Sequence, residues 1–200
     1  MATRAQIQER NRRALLRAAI DLIAARGYRD ATVEAIAARA DLTTGAVYSC
    51  FGGKQELFYA AIAYCRDELM PHLDLDLPPG CSASEVLHRY GTVMADAAAA
   101  PDFRRLYLFE LELTALVLHD PRFADRVRHD GDPIIDTLTA ALTGRSSAHR
   151  TTLDEPSAQR IATAATALAR GLLQGCLWRD IPIDATLIAD ACSALASCPR

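Results

Sequence analysis

The chain has 200 residues, half of them hydrophobic and 24% charged, with a formal net charge of −3 and a mean hydropathy near zero. That balance excludes a disordered or collagen-like polymer and predicts one or two globular domains. The opening MATRAQIQERNRR has no apolar signal core, and no apolar run reaches the roughly 18 to 20 residues of a membrane span, so neither secretion nor membrane insertion is expected and a cytoplasmic protein is.

Apolar residues recur at helical spacing almost throughout, and no alternating run bounded by turns argues for a strand, so the expected class is all-α with about nine helices. In the first helix Leu15, Ala19, Leu22 and Ile23 form one stripe, and Gly27 stands where a left-handed cap belongs. Thr32 is a candidate N-cap for a short second helix carrying Val33, Ile36, Ala37 and Ala40. Asp41-Leu42-Thr43 makes a tight link, Thr43 is placed to cap a third helix from Thr44 to about Cys50, and Phe51-Gly52-Gly53 ends it. A fourth helix starts near Lys54 and runs to Pro71 with Leu57, Phe58, Ala61, Ile62, Cys65 and Leu69 on its apolar face.

The stretch from Pro71 to Ser82 holds three prolines and a glycine, which ends a helix and marks a junction between residues 1–70 and 71–200. Beyond it, Ser82 and Glu85 fit a capping box opening a fifth helix to about Ala99. Pro101 and Pro121 predict the starts of a sixth and a seventh, with Gly131-Asp132-Pro133 breaking or kinking the latter. Leu106 to Leu118 alternates Leu and Glu in part, but its length and composition favour a helix, apolar nearly all round and therefore expected in the middle of a helical domain. Residues 144–156 read as a polar loop, and helices follow at about 157–179 and 184–196.

Charge divides unevenly. Residues 1–66 hold ten basic against six acidic groups, a balance of +4, and residues 67–200 hold twelve against nineteen, a balance of −7. Such asymmetry suits a segment that meets a polyanion, although a solvated arginine-rich surface has the same count. The six cysteines, Cys50, Cys65, Cys81, Cys176, Cys192 and Cys198, show no C-x-x-C or zinc spacing and read as reduced thiols.

Residues 32–51 have the dimensions of a helix-turn-helix. Its second helix, TTGAVYSCF, places Val47 and Phe51 at core positions and offers a surface of Thr43, Thr44, Gly45, Ala46, Ser49, Cys50 and Tyr48. Small side chains let a helix backbone approach base edges in the major groove, and hydroxyls and N–H groups hold phosphates. An ordinary αα-hairpin with close-packed small residues is the alternative.

Residues 8–66 resemble the N-terminal domain of the TetR family of transcriptional regulators: Thr32-Val33-Glu34-Ala35-Ile36-Ala37, then Ala40-Asp41-Leu42-Thr43-Thr44-Gly45-Ala46-Val47-Tyr48-Ser49-Cys50-Phe51, then Lys54-Gln55-Glu56-Leu57. The resemblance implies that Thr32 and Thr43 hold phosphates, that Thr44, Gly45 and Ala46 face bases, and that Tyr48 clamps the DNA backbone. Ser49 and Cys50 share that surface, and Lys54, the sole lysine, reaches a phosphate. An amine beside a helix N-terminus makes sense mainly where an anion offsets the dipole, a lone surface lysine being the other reading. Cys50 and Asp41 depart from the family's usual His, Tyr or Asn and Gly, which leaves the base preference open.

The resemblance further implies that residues 71–200 bind a small-molecule effector and form a homodimer through the last two helices, as a four-helix bundle. A small-residue stripe of Ala164, Ala167, Gly171 and Gly175, with Leu168, and the apolar Ala185, Ile188, Ala189, Cys192 and Leu195 suit close packing, whether against a second copy or internally. Candidate pocket residues are Tyr90, Met94, Phe103, Tyr107, Glu110, Leu111, Thr114, Phe123, His129 and Trp178, although for any single one an ordinary core side chain is the simpler reading. Glu110 in an apolar helix must be paired, protonated or wet, with Arg104 or Arg170 as possible partners.

The expected function is a homodimeric repressor on double-stranded, pseudo-palindromic operator DNA, released when an effector binds. A helical enzyme is the competing reading, and no nucleophile, paired-carboxylate or phosphate-loop pattern supports it, since His72, His88, His119, His129 and His149 are scattered. A carrier or interaction module that keeps the hairpin without binding DNA is a third. Neither cofactor nor metal is expected.

Overall fold

The computed structural model describes residues 3–69, 75, 77–78, 80–129, 131–147 and 151–197, with backbone alone at 66–69, 122 and 128. Most of the proline-rich junction, including the expected end of the fourth helix at Pro71, lies outside the described residues, as do His72, Asp130, His149 and Cys198. Among the described residues there are ten α-helices and no strand: α1 (Arg4–Asp30), α2 (Val33–Arg39), α3 (Thr44–Phe51), α4 (Lys54–Leu69), α5 (Ala83–Ala98), α6 (Phe103–His119), α7 (Pro121–His129), α8 (Pro133–Leu142), α9 (Glu155–Arg179) and α10 (Ala185–Ala194), followed by a 3₁₀ turn at Leu195–Ser197. No described helix is long and apolar enough to cross a membrane.

The all-α expectation holds, and its count changes at one point. Gly131, at φ +69, and the Asp132 carboxylate, which accepts from Ile134 N at 3.1 Å with Pro133 in the first turn, end α7 and open α8 as a separate helix. A left-handed backbone stops one helix, and an N-cap followed by proline starts another. The Ser82–Glu85 capping box forms as expected, Glu85 accepting from Ser82 N at 2.7 Å while Ser82 Oγ accepts from Glu85 N at 3.3 Å. Gly27 corrects its expectation: at φ 82, ψ 161 it kinks α1 instead of capping it, and a further turn runs to Asp30.

Two compact units result, and the first is discontinuous. It comprises Met1–Glu68 together with Asp102–Val127. Its core holds Leu15, Ala19, Ile20 and Ile23 of α1, Ile36 of α2, Val47 of α3, Leu57, Phe58 and Ala61 of α4, Phe109 of α6 and Phe123 of α7. Phe58 is the centre of an aromatic cluster, 4.8 Å from Tyr28, 5.2 Å from Phe109 and 5.5 Å from Phe123 by ring centroids. Charges reinforce it. Asp21 Oδ1 accepts from Arg105 Nη1 at 2.7 Å and its Oδ2 from Arg39 Nη2 at 2.8 Å, tying α6 and α2 to α1. Burial alone would raise the Asp21 carboxyl, but the hydrogen bonds and charges of Arg105 and Arg39 outweigh it and hold the group below its ordinary range. Glu56 takes both guanidinium nitrogens of Arg126 at 2.8 and 2.9 Å, and that guanidinium lies 3.7 Å over the Tyr59 ring.

Helix α6 departs from expectation in its surroundings. One face joins the core through Phe109, with Leu106, Leu113 and Leu116 partly buried against it. The opposite face leaves Leu108 and Leu111 exposed and Leu118 77% exposed. A helix apolar all round need not be enclosed all round, because α1 is its principal neighbour.

The second unit comprises Leu69–Pro101 and Arg128–Arg200. Here α5 packs along α10, and α8 along α9. Helices α5 and α10 approach closely at Gly91, where a Cβ would stand 2.6 Å from Ala189 Cα and 2.8 Å from Ile188 O. The loop after α8 closes on itself through Leu153 N to Arg145 O at 2.9 Å and Gly144 N to Leu153 O at 2.9 Å, and Asp154 caps α9 by accepting from Ser157 N at 3.1 Å.

Candidate nucleic-acid interface

The hairpin of α2 and α3 is built from local rules. Thr32 Oγ1 accepts from Ala35 N at 3.2 Å and caps α2. At the other end Leu42 N donates to Ala37 O at 2.9 Å and Asp41 N to Ala38 O at 3.2 Å, the 6→1 and 5→2 pair of a Schellman motif. That motif needs a left-handed residue, and Asp41 supplies it at φ 55. The turn is thereby fixed at the length that swings α3 out across α2.

Glycine at position 41 removes the Cβ strain of that conformation, partly offset by glycine's larger unfolded entropy. Asp41→Gly is therefore expected to stabilise the first unit by about 0.5–1 kcal/mol, seen as a higher urea midpoint with unchanged slope.

Thr43 occupies the N-cap position of α3 at φ −88, ψ 157, but its hydroxyl makes no capping bond. The expected side-chain cap is thus absent, and Ala46 N donates instead to Thr43 O at 3.0 Å. Val47 is fully buried and anchors the helix. Ala46, Cys50 and Phe51 pack against the core at the edges of α3. The outward stripe is therefore Thr44, Gly45, Tyr48 and Ser49, with Tyr48 56% exposed. Ser49 Oγ donates to Ala46 O at 3.1 Å. Gly52, at φ 82, closes the helix by donating to Tyr48 O at 2.9 Å.

Lys54 has a structural occupation that sequence reasoning missed. Its ammonium donates to Tyr28 O at 2.5 Å and Arg29 O at 3.2 Å and lies 4.3 Å above the Tyr28 ring. The carbonyl end of α1 supplies the negative dipole that makes an amine tolerable beside the start of α4, so no bound anion is needed to explain it. Burial pulls this amine below the ordinary lysine range, with Asp30 opposing. Glu112, two residues beyond Glu110, accepts from Tyr28 N at 2.9 Å across the Gly27 kink. Tyr28 is thus held at both its N–H and its carbonyl, by residues 84 and 26 positions away.

The remaining expected sites are dispersed. Of the pocket candidates, Phe103, Tyr107, Glu110, Leu111, Thr114 and Phe123 fall in the first unit and Tyr90, Met94, His129 and Trp178 in the second. Phe123 belongs to the aromatic core, whereas Leu111, Thr114, His129 and Trp178 are exposed. Arg170 pairs with Asp132 at 3.2 Å. Of the interface candidates, Ala164, Ala167 and Gly171 are exposed and Leu168, Gly175 and Leu195 half-buried. Ile188 and Cys192 are corrected: both are buried within the unit, because the apolar face of α10 is taken by α5.

Comparison with known proteins bears on this geometry. The family model described as bacterial regulatory proteins, tetR family, matches residues 15–61, from α1 to α4. The uncharacterized HTH-type transcriptional regulator TtgW of Pseudomonas putida is 32% identical over 103 residues, covering 52% of this chain and 73% of that protein. The chain belongs to the TetR family. Another relative, the HTH-type transcriptional regulator SrpR of Pseudomonas putida, is 32% identical over 97 residues, a match spanning 48% of this chain and less than half, 44%, of SrpR. Among solved structures, a putative TetR-family transcriptional regulator from Rhodococcus sp. superposes with a TM-score of 0.70 at 25% identity, over 94% of this chain and 96% of that one. The TetR match covers the whole hairpin, Asp41 turn included.

Proposed function

We propose that this TetR-family protein is a homodimeric, DNA-binding transcriptional repressor that an effector releases from a pseudo-palindromic operator. In this reading residues 1–70 form the reading head with its connecting helix, and residues 71–200 carry effector binding and dimerisation, with α6 and most of α7 packed into the first unit. The observation that carries it is α3 itself: Val47 is buried as an anchor, and the opposite stripe is small, hydroxylated and exposed. Such a helix fits a major groove, with Thr32, Thr43 and Tyr48 on phosphates and Lys54 as a phosphate contact through a donor its two carbonyl bonds leave over.

Dimerisation is supported by α9, where Ala164, Ala167 and Gly171 lie exposed in a row and a Cβ added at Gly171 or Gly175 would meet nothing within 4 Å. Trp178, 83% exposed, lies on the same helix, and Ile181 and Leu187 are exposed as well; exposed apolar side chains of this kind suit an association site. Effector binding in the second unit is supported by two buried hydroxyls, Tyr90 and Thr166, which face each other in a hydrogen bond of poor geometry and have no other partner. Burial pushes the Tyr90 phenol up to about 12, its Thr166 neighbour pulling the other way. A bound polar group would satisfy both.

The test is a mobility-shift titration against DNA upstream of the protein's own gene, in rising salt. Sequence-specific retardation by a dimer is expected, with log affinity falling linearly against log salt, by about 0.9 per phosphate neutralised. Affinity without sequence preference, or without salt dependence, overturns the reading.

A further inference from the structure

The outward stripe of α3 is unusual in what it lacks. Thr44, Gly45, Tyr48 and Ser49 include no guanidinium, ammonium, carboxamide or carboxylate. The strong bidentate readers of base edges are Arg or Lys on guanine and Asn or Gln on adenine, and none of these stands on this face. Nearby candidates are engaged or displaced. Lys54 spends donors on Tyr28 O and Arg29 O, Arg39 holds Asp21, and Gln55 lies on α4 with its carboxamide directed at Tyr59 Oη at 3.5 Å. The Ser49 hydroxyl proton is committed to Ala46 O.

What remains for direct readout is apolar and small. Thr44 presents a methyl beside a hydroxyl in the first turn of α3. At Gly45 even an added Cβ would meet only the Thr43 hydroxyl, at 3.6 Å, so the helix backbone is open to close approach. The thymine C5-methyl is the one major-groove feature that such a surface recognises without a hydrogen bond.

Resting on the DNA-binding reading above, the geometry points to Thr44 as a specificity-determining residue that packs its methyl on a thymine methyl, so that the operator is read by thymine methyls and groove shape and not by guanine contacts from α3. Gly45 permits the approach, and Tyr48 fixes the register on the sugar–phosphate backbone.

The full chain is used to select duplexes from a random library long enough for two half-sites one helical turn apart, and the selected duplex is then remade with deoxyuridine at each thymine. Uracil pairs as thymine does and lacks only the methyl. The expected result is one position per half-site where uridine weakens binding about fourfold, and about fifteenfold when both half-sites are substituted, the worth of one buried methyl at each. Thr44→Ser keeps the hydroxyl and removes the methyl, so its affinity should be equal on thymine and uridine duplexes. Helicity and melting temperature of the variant are measured alongside, since an exposed threonine is not expected to matter for folding.

Uridine tolerance at every position overturns the inference while leaving the DNA-binding reading intact. So does an undiminished thymine preference in Thr44→Ser, or a selected guanine whose 7-deaza analogue costs more than uridine does. Selection that enriches no sequence overturns both.

Discussion

Replacing Phe58 by alanine is expected to destabilise the first unit by about 3–5 kcal/mol. The side chain is 1% exposed and its ring touches Tyr28, Phe109 and Phe123. It therefore joins α1, α4, α6 and α7 in one contact. Aromatic pairs of this kind add about 0.5–1.5 kcal/mol each beyond the area they bury. Against the roughly 5–15 kcal/mol that holds a domain together, such a loss leaves the unit marginal at 25 °C. The cavity cannot close easily, because its walls are anchored elsewhere: Tyr28 by Glu112 and Lys54, and α7 by the Arg126–Glu56 pair. Urea titration followed by helix signal should show an earlier unfolding phase for this unit. A loss under about 1 kcal/mol would mean that the ring is not the keystone its contacts imply.

Local chemistry is what made the hairpin readable. Thr32 capping α2, the Ser82–Glu85 box and the break at Gly131 each depend on residues a few positions apart. The α2–α3 spacing likewise follows from a single left-handed residue, and Asp41 stands where it must be. Spacing also marked Thr44, Gly45 and Tyr48 as surface. It placed Ala46 and Cys50 on the same surface, whereas both lean onto the core, because a short helix offers both faces small residues.

Long-range partnerships left no such trace. Nothing near Glu112 announces that its carboxylate holds the N–H of Tyr28, 84 residues away. The structural occupation of Lys54 went unread because its carbonyl partners belong to a helix that ends 24 residues earlier in the chain. Periodicity likewise gave α10 an apolar face without saying whether α5 or a second copy would cover it, and it is α5 that packs there, with Ile188 and Cys192 buried. The same holds for α6 and α7, which follow the proline-rich junction in sequence yet pack in the unit that precedes it.

Gly91→Ala should weaken the second unit by about 1–3 kcal/mol or more, the usual range for overpacking. On helix propensity alone the change would gain about 0.5–1 kcal/mol, since Gly91 lies within α5. Contact decides the sign. The new Cβ would stand 2.6 Å from Ala189 Cα, 2.8 Å from Ile188 O and 2.9 Å from Ala189 N. All three atoms are backbone, so no rotamer relieves them and α10 must move away from α5. Calorimetry should show a lowered transition for this unit and little change in the first. Gly171 on α9 is the internal comparison, with nothing within 4 Å of its own added Cβ. In an isolated protomer Gly171→Ala is expected to be neutral or stabilising by the propensity term. If it instead destabilises, and more so as protein concentration rises through the association range, the space beside Gly171 is filled by a second copy. Equal and concentration-independent effects at the two glycines would remove the argument that distinguishes them.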